Sequence, residues 1–483
     1  MSANYLFLYT ILLLDIVCII AVIFFERKNP ASTIAWVLVL ILAPIVGIIA
    51  YMIFGNGFPV RKKKKKYSLK AARDSIYDEE LTQYLKISND DPVYNNILYV
   101  RMIDYLKTDG DGIYTDKNQV QLFLDGKNKF ESLLKDIRSA KDHIHLFYYI
   151  FKNDHIGKEV LAALEEKAKE GLRVKVMYDG LGTMLGFSQM FKPLIAAGGK
   201  VLPFSPLLFN LSPDIRVNYR NHRKIVVIDG QIGYMGGMNI GDEYLGRDKK
   251  LSPWRDTHLR LTGPVVWFLQ ERFFMDWLYA LSEDPEPRNL EKYFPEPLPG
   301  GDTGVQVVSS GPDRADNMPI KSGFLQMIYD ACKTILIQTP YFIPDDSFIE
   351  AMRIAARSGV NVRLMIPGKT DNILVQQVNM AYAQHIADCG VKVYLYNGFL
   401  HAKTITCDGK ITSIGTTNMD VRSFSLNFEV NAFIYDKDFS EEYARHFEDD
   451  IKECREVNSA WFKEHSVFTR AAWKAARLLA PLM

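Results

Sequence analysis

Two short stretches of the chain carry residue types that could together process a phosphodiester. The first holds His222, Lys224, Asp229, Gly236 and Asn239; the second holds His401, Lys403, Asp408, Gly415 and Asn418 at the same spacing. In an extended segment residues i and i+2 point the same way, so each histidine shares a face with its lysine. Imidazole, with a pKa near about 6.5, can serve neutral as a nucleophile or protonated as an acid. Displacing an alkoxide from phosphorus needs one group in each role, on opposite sides of the phosphorus atom. Lys224 and Lys403 would put fixed positive charge on the nonbridging oxygens, and Asn239 and Asn418 would add neutral donors. Such preorganised donors commonly contribute several kcal/mol to a transition state. Asp229 and Asp408 complete each triplet, but each precedes a glycine, a turn signature. Their contribution is therefore expected to fall on loop geometry more than on chemistry. A single His-x-Lys carries no information. Two matched patterns do, because converging polar side chains are costly to bury unless paired or used.

The elements that position these residues are themselves duplicated. Ile137-Arg-Ser-Ala140 leads into the apolar run Ile144 to Phe151, and Ile328-Tyr-Asp-Ala331 leads into Ile335 to Phe342. Gly171-Leu-Arg-Val-Lys-Val-Met177 matches Gly359-Val-Asn-Val-Arg-Leu-Met365, and Gly199-Lys-Val201 matches Gly390-Val-Lys-Val393. Each unit reads strand, helix, strand, helix, strand, with helices over Lys158 to Glu170 and Ser347 to Ser358. The alternation predicts an α/β fold of two units whose sheets are flanked by helices. The expected division is 126–282 and 303–483 for the units and 283–302 for a linker rich in proline. Residues 61–125 are expected to be a basic juxtamembrane segment and linker.

Formal net charge is +1, and no stretch outside the carboxyl terminus interleaves aromatics with cations, which argues against a nucleic-acid partner. Five cysteines, Cys18, Cys332, Cys389, Cys407 and Cys454, are scattered without a zinc or disulfide spacing. No carboxylate-rich cluster demands a metal, and no cofactor is expected.

Residues 1–60 read as a membrane hairpin. Tyr5 to Phe25 is apolar except for Asp15, and Thr33 to Phe54 has no charged residue. At about 1.5 Å per residue each segment reaches roughly 30 Å, the thickness of a hydrocarbon core. Met1 to Asn4 lacks the basic residues of a signal peptide. Asp15 is expected to be neutral or hydrogen-bonded across the hairpin. The cations Arg61 to Lys66 predict a cytoplasmic location for everything that follows. At the other end, Phe468 to Met483 places Arg470, Lys474 and Arg477 on one side of an amphipathic helix containing Trp473. Such a helix either lies in a lipid interface or packs on the protein core.

The twin motifs resemble those of the phospholipase D superfamily, over Phe130 to Met483. With the amino-terminal hairpin, the whole chain resembles bacterial cardiolipin synthases of that type. The resemblance implies two halves meeting about a pseudo-twofold axis, with one histidine from each half flanking a single phosphodiester. It implies His222 as nucleophile, forming a phosphatidyl-histidine, and His401 as the acid and then the base. Asp256, in Trp254-Arg-Asp256-Thr-His258, and Glu429, in Asn427-Phe-Glu429-Val-Asn431, look like carboxylates that orient the imidazoles. Tyr341 and Arg422 are weaker candidates for the pocket wall. The implied reaction joins two phosphatidylglycerol molecules into cardiolipin and glycerol at a bacterial inner membrane. A hydrolase or a nuclease of the superfamily would use the same motifs.

Overall fold

The structure, a computed structural model, describes residues 3–25, 30–54, 96–180, 182–183, 187–204, 220–281, 290–312, 317–478 and 480. Arg61 to Lys66, Pro285 and Pro287 fall outside the described residues.

Apolar runs become strands such as His143–Tyr148, Ile225–Ile228 and Glu429–Tyr435, buried along their whole length. The first unit contains β1 (Tyr114–Phe123), β2 (His143–Tyr148), β3 (Arg173–Asp179), β4 (Lys200–Phe204), β5 (Ile225–Ile228), β6 (Ile232–Gly236), β7 (Trp254–Arg255) and β8 (His258–Thr262). The second contains β9 (Thr303–Ser310), β10 (Thr334–Gln338), β11 (Phe342–Ile343), β12 (Asn361–Pro367), β13 (Lys392–Tyr396), β14 (Phe399–Leu400) and β15 (Thr404–Cys407). It continues with β16 (Ile411–Gly415), β17 (Met419–Asp420), β18 (Glu429–Tyr435) and β19 (Cys454–Val457).

Fifteen of these strands form one sheet, in the order β19-β13-β12-β10-β15-β16-β18-β9-β1-β8-β6-β5-β2-β3-β4. Read outward from the central β9–β1 pair, the two halves repeat one order, with β19 added at one edge. Strands β2, β3 and β4 are parallel, as are β10, β12 and β13. Helices His155–Lys169 and Asp346–Arg357 make the crossovers, as the repeat predicts. The remaining members, β5, β6 and β8 with their counterparts, run antiparallel. The duplication is therefore a mixed sheet continuous through both units.

Away from β1 and the edge strands, both faces of this sheet are covered. In β2, Ile144, Leu146 and Tyr148 face the cluster containing Leu133, Val160 and Leu164. Its Phe147 packs on the other side with Trp267, Phe273 and Phe274 of helix Val265–Ala280. Residues 97–123, assigned to a linker by their polarity, are folded. Helix Ile97–Gly110 contributes Met102, Ile103 and Leu106 to the core of the second unit. Strand β1 pairs with both β8 and β9 and so joins the halves. Its outward-facing polar residues hid it.

The second apolar segment is not the continuous span that its composition suggested. It forms helices Pro30–Leu42 and Pro44–Phe54. Pro44 has no N–H to donate to the preceding turn, and its ring disfavours a straight helix. The chain folds back there, bringing the Trp36 and Tyr51 rings to 5.2 Å in an edge-to-face contact. A side chain at Gly47 would meet the Leu40 backbone at 3.0 Å, so the close approach requires glycine. Among the described residues, no helix is long and apolar enough to cross a membrane. Helix Ala3–Phe25 packs on this pair through Val22.

At the carboxyl terminus, helix Val467–Arg477 packs on the core. Trp473 and Ala476 are buried, and the Arg477 guanidinium lies 5.2 Å from the Tyr382 ring of helix Ile373–Asp388. Its other side leaves Phe468 87% exposed. Of the stretch Phe468 to Met483, residues 479 and 481–483 lie outside the described residues.

Candidate active site

The two histidines stand in extended segments just ahead of β5 and β15, and each is tethered to the opposite half. The His401 N–H donates to the Arg255 carbonyl at 2.7 Å, and its Nδ1 meets the carboxylate of the next residue, Asp256, at 2.6 Å. The His222 N–H donates to the Phe428 carbonyl at 2.9 Å, and its Nδ1 lies 3.1 Å from the carboxylate of the next residue, Glu429. Short pairings hold this register. Phe399 and Leu400 align with Trp254 and Arg255, and Asn221 bridges to Phe428. In both halves, then, the orienting carboxylate comes from the other half. The imidazoles are each pinned through Nδ1, which leaves Nε2 for a substrate.

Both carboxylates are buried and otherwise satisfied. Asp256 accepts from the Thr257 N–H at 2.6 Å. Glu429 accepts from the Thr416 hydroxyl at 2.5 Å and from the Asn427 amide at 3.3 Å. Asn427 also reaches His222 Nδ1 at 3.1 Å, so the ring shares its partners where His401 has a single carboxylate. At the position matching Thr416 the first half has Gly237, where a Cβ would come 2.1 Å from the Asp256 carboxylate. A buried arginine locks each seam. Arg223 donates to the carbonyls of Glu429 at 3.0 Å and Ser310 at 2.9 Å and pairs with Asp276 at 2.6 Å. Arg255 pairs with Asp450 across the halves at 3.0 Å.

Lys224 and Lys403 are almost wholly buried. Each ammonium folds back on the carbonyl of its own histidine, Lys224 on His222 at 2.6 Å and Lys403 on His401. Burial lowers the pKa of Lys224 to about 8, against the attraction of Glu429 and Asp256. It lowers that of Lys403 to about 7, with Asp256 opposing and Lys224 adding to the fall. Burial, reinforced by Lys403, also lowers His401 to about 4. His222 is lowered in the same direction by burial, with Glu429 opposing. Burial, not a lack of carboxylates, is what depresses the lysines, and a phosphodiester entering beside them would favour their charged forms.

The other sequence candidates divide. Asp229 and Asp408 lie at the far ends of β5 and β15 from the histidines. The Asp229 carboxylate accepts from the N–H groups of Lys141, Asp142 and His143 at 2.8, 2.8 and 3.0 Å. That of Asp408 accepts from Cys332, Lys333 and Thr334, each at 2.8 Å. Asp229 and Gly230 have φ of 53° and 67°, and Asp408 and Gly409 have 52° and 64°, as a two-residue hairpin turn requires. Both aspartates shape the turn and pin the entry to β2 or β10. Asn239 is less available than its position suggested. Its oxygen accepts from the Ile150 N–H at 3.1 Å, and its amide donates to the Tyr244 hydroxyl at 2.7 Å. Asn418 is buried and donates to Asp420. Tyr341 donates to Asp371 at 3.1 Å, and Arg422 lies in the field of Asp420, Tyr149 and Asp179.

Several site residues carried no signal in the motif. The Tyr149 ring lies 4.3 Å from that of His222, and Trp254 and Tyr244 each lie 5.8 Å from that of His401. Tyr149 directly follows β2, and the repeat sets Pro340 opposite it, so the sequence offered no clue to it. Among the described residues, no group of His, Cys, Asp and Glu is arranged to hold a metal ion.

This geometry has relatives. The family model described as "Cardiolipin synthase, PLD-like domain" matches residues 133–251 and 324–451, and "Phospholipase_D-nuclease N-terminal" matches 13–56. The chain is 43% identical over 481 residues to a cardiolipin synthase of Listeria innocua, covering 99% of this chain and 98% of that one. It is 42% identical over 492 residues to the major cardiolipin synthase ClsA of Bacillus subtilis, covering all of both. In fold it is similar to a phosphatidylserine synthase of Haemophilus influenzae, with a TM-score of 0.59 at 14% identity over 79% of this chain and 98% of that one. A paired-histidine site built across two repeats, and a likeness that runs the length of the chain, place it in the cardiolipin synthase family of phospholipase D-like proteins.

Proposed function

We propose that the chain is a cardiolipin synthase, a phosphatidyltransferase that passes the phosphatidyl group of one phosphatidylglycerol to the glycerol hydroxyl of a second. The observation that carries this reading is the pair of imidazoles with Nε2 free, each oriented by a carboxylate from the opposite half. His222 Nε2 attacks phosphorus, and the bond from phosphorus to the glycerol oxygen breaks. His401, protonated at Nε2, gives its proton to that oxygen, and glycerol leaves. His401, now neutral, takes the proton of the incoming glycerol hydroxyl. The new oxygen attacks phosphorus, the phosphorus–nitrogen bond breaks, and His222 recovers its electron pair. Lys224 and Lys403 hold the nonbridging oxygens throughout, and Asp256 and Glu429 keep the rings in one tautomer and orientation. Water in place of the second lipid would give phosphatidic acid, and only pocket shape excludes it.

Supplied with phosphatidylglycerol alone, the purified protein is expected to release cardiolipin and free glycerol in equal amounts, measured by lipid chromatography and a glycerol assay. Phosphatidic acid as the main product would replace the synthase reading with hydrolysis.

We also infer a membrane anchor in residues 3–54 of a bacterial enzyme, with the catalytic units on the cytoplasmic side. Helix Ala3–Phe25 exposes Leu12, Leu13, Ile16, Val17, Ile20 and Phe24, and the folded-back pair exposes Leu38, Ile41, Leu42 and Val46. That contiguous apolar surface suits lipid. The helices of the pair have 13 and 11 residues, about 20 and 17 Å, which suits shallow or re-entrant insertion better than a full pass. Protein lacking residues 1–54 should leave the membrane fraction at high salt. Continued sedimentation with membranes would remove the anchor role from this segment.

A further inference from the structure

In open α/β sheets a ligand reaches its site past the carboxyl ends of the parallel strands. Three such ends in the second unit frame the approach to His401. Beyond β13 the chain turns through Gly398 into the histidine segment, and the Lys369 N–H donates to the Gly398 carbonyl at 3.2 Å. Beyond β12 come Lys369 to Asn372 and then helix Ile373–Asp388, and Asp371 accepts from the Tyr341 hydroxyl at 3.1 Å. Beyond β10 lie Tyr341 and Phe342, and Phe342 pairs with Met419, the neighbour of Asn418. The first unit adds one loop to this rim. Its Leu251 and Pro253 carbonyls both accept from the Phe399 N–H at 3.0 Å, and its Ser252 carbonyl accepts from the Lys369 ammonium at 3.0 Å.

Where these segments meet solvent they are apolar and cationic together. Ile373 is 77% exposed, and Leu374 and Val421 are each 40% exposed. Val421 follows Asp420, which pairs with Ile343, and so stands on the same rim. Nothing local calls for these aliphatics. The Asn372 side chain already caps the helix, accepting from the Leu374 N–H at 2.9 Å, and acidic side chains would suit the first turn better. Single exposed aliphatics are ordinary, but a group of them edged by polar residues marks a contact surface. Lys249, Lys250 and Lys369 are exposed on the same loops. The carboxylates of those loops are engaged, Asp248 by the Lys250 N–H at 2.8 Å and Asp371 by Tyr341. A lysine stem lies readily along apolar surface while its ammonium reaches an anionic headgroup.

We propose that this rim, Ile373, Leu374 and Val421 with Lys249, Lys250 and Lys369, docks the catalytic units on an anionic lipid bilayer. The occupant follows from position and charge, because the site behind the rim belongs to a family that processes anionic lipids. Docked there, a phosphatidylglycerol passes from the bilayer to the histidines without its acyl chains crossing water. The anchor holds the units near the membrane, and the rim sets which way they face. The inference rests on phosphatidylglycerol being the substrate under the proposed function.

Ile373→Glu/Leu374→Glu tests the rim, because two acids favour the start of a helix and oppose an anionic surface. Full-length protein is reconstituted in phosphatidylcholine vesicles and given two substrates in turn. One is long-chain phosphatidylglycerol at low fraction within the bilayer, and the other is dihexanoyl phosphatidylglycerol supplied from water. Turnover of the bilayer lipid should fall by about tenfold, the loss of two aliphatic contacts with lipid, while turnover of the soluble lipid stays at the parent's level. Phe468→Glu is the control. The chain leaves β19 at Val457, opposite Val393 at the start of β13, so Phe468 follows on the side away from the rim and should affect neither substrate. Should the double variant not fold, Ile373→Ser decides by the same comparison. Equal losses on both substrates would make the two residues part of the pocket and overturn the docking role. So would an equal loss from Phe468→Glu, or no loss from any variant. A changed oligomeric state of the variant in detergent would give the rim to a second copy of the chain instead. A parent that makes no cardiolipin from either lipid removes the proposed function itself, whereas an active parent beside an unaffected variant rejects this inference alone.

Discussion

Alanine at His222 or at His401 is expected to lower turnover of phosphatidylglycerol by about 10⁴-fold, and the double variant should be little worse than either single one. Nucleophile and acid act on one phosphorus atom, so removing either disables the same step. The two variants part company on a lipid with a p-nitrophenyl leaving group. That phenolate departs without a proton, so His401→Ala should recover a burst of p-nitrophenol while His222→Ala stays silent. Labelled lipid should then remain attached to His222 in the His401→Ala protein, because the base that activates the second alcohol is missing. A burst from His222→Ala, with label on His401, would exchange the two assignments. His401 bonds a single carboxylate at 2.6 Å, an attraction that opposes the burial lowering its pKa, whereas His222 shares Glu429 with Thr416 and Asn427.

The second large effect is on stability. Asp229→Ala and Asp408→Ala should each destabilise the protein by about 3 kcal/mol while kcat per folded molecule stays within about tenfold of the parent. Each carboxylate accepts three backbone N–H groups, and each residue has φ above 50°, where alanine is strained and asparagine is tolerated. Asparagine should therefore recover part of the loss. For a fold of this size, a fall in melting temperature of roughly 5 °C or more is expected. A drop of 10³-fold in kcat at unchanged melting temperature would instead make these aspartates chemical participants. The third letter of each motif thus belongs to the turn, although it travels with the two that face the substrate.

How far the sequence reached can be seen residue by residue. The spacing of His222 and Lys224, repeated at His401 and Lys403, is a local fact, and so is the aspartate–glycine turn behind each pair. The alternation of apolar runs with amphipathic helices located the crossovers His155–Lys169 and Asp346–Arg357 to within a few residues. Strand β1 escaped because a central strand whose outward residues are polar looks like a linker. The break at Pro44 was visible as a residue type, but the apolar average over Thr33 to Phe54 outweighed it.

Local pattern alone determined which residues could do chemistry, that there are two sets of them, and that each set sits where an extended segment enters a strand. Those properties depend on neighbours within a few positions. Only the tertiary structure decided that Asp256 serves His401 and Glu429 serves His222. Within its own half each carboxylate follows a histidine by about thirty residues, and no periodicity distinguishes that histidine from the other. The exchange arises because β1 and β9 join the sheet edge to edge and bring the segment after each histidine motif against the motif of the opposite half. The same packing gives His401 a single carboxylate partner at Nδ1, whereas His222 shares Glu429 with Asn427. Burial and distance across the seam set those differences, and they exist only once the two halves have met.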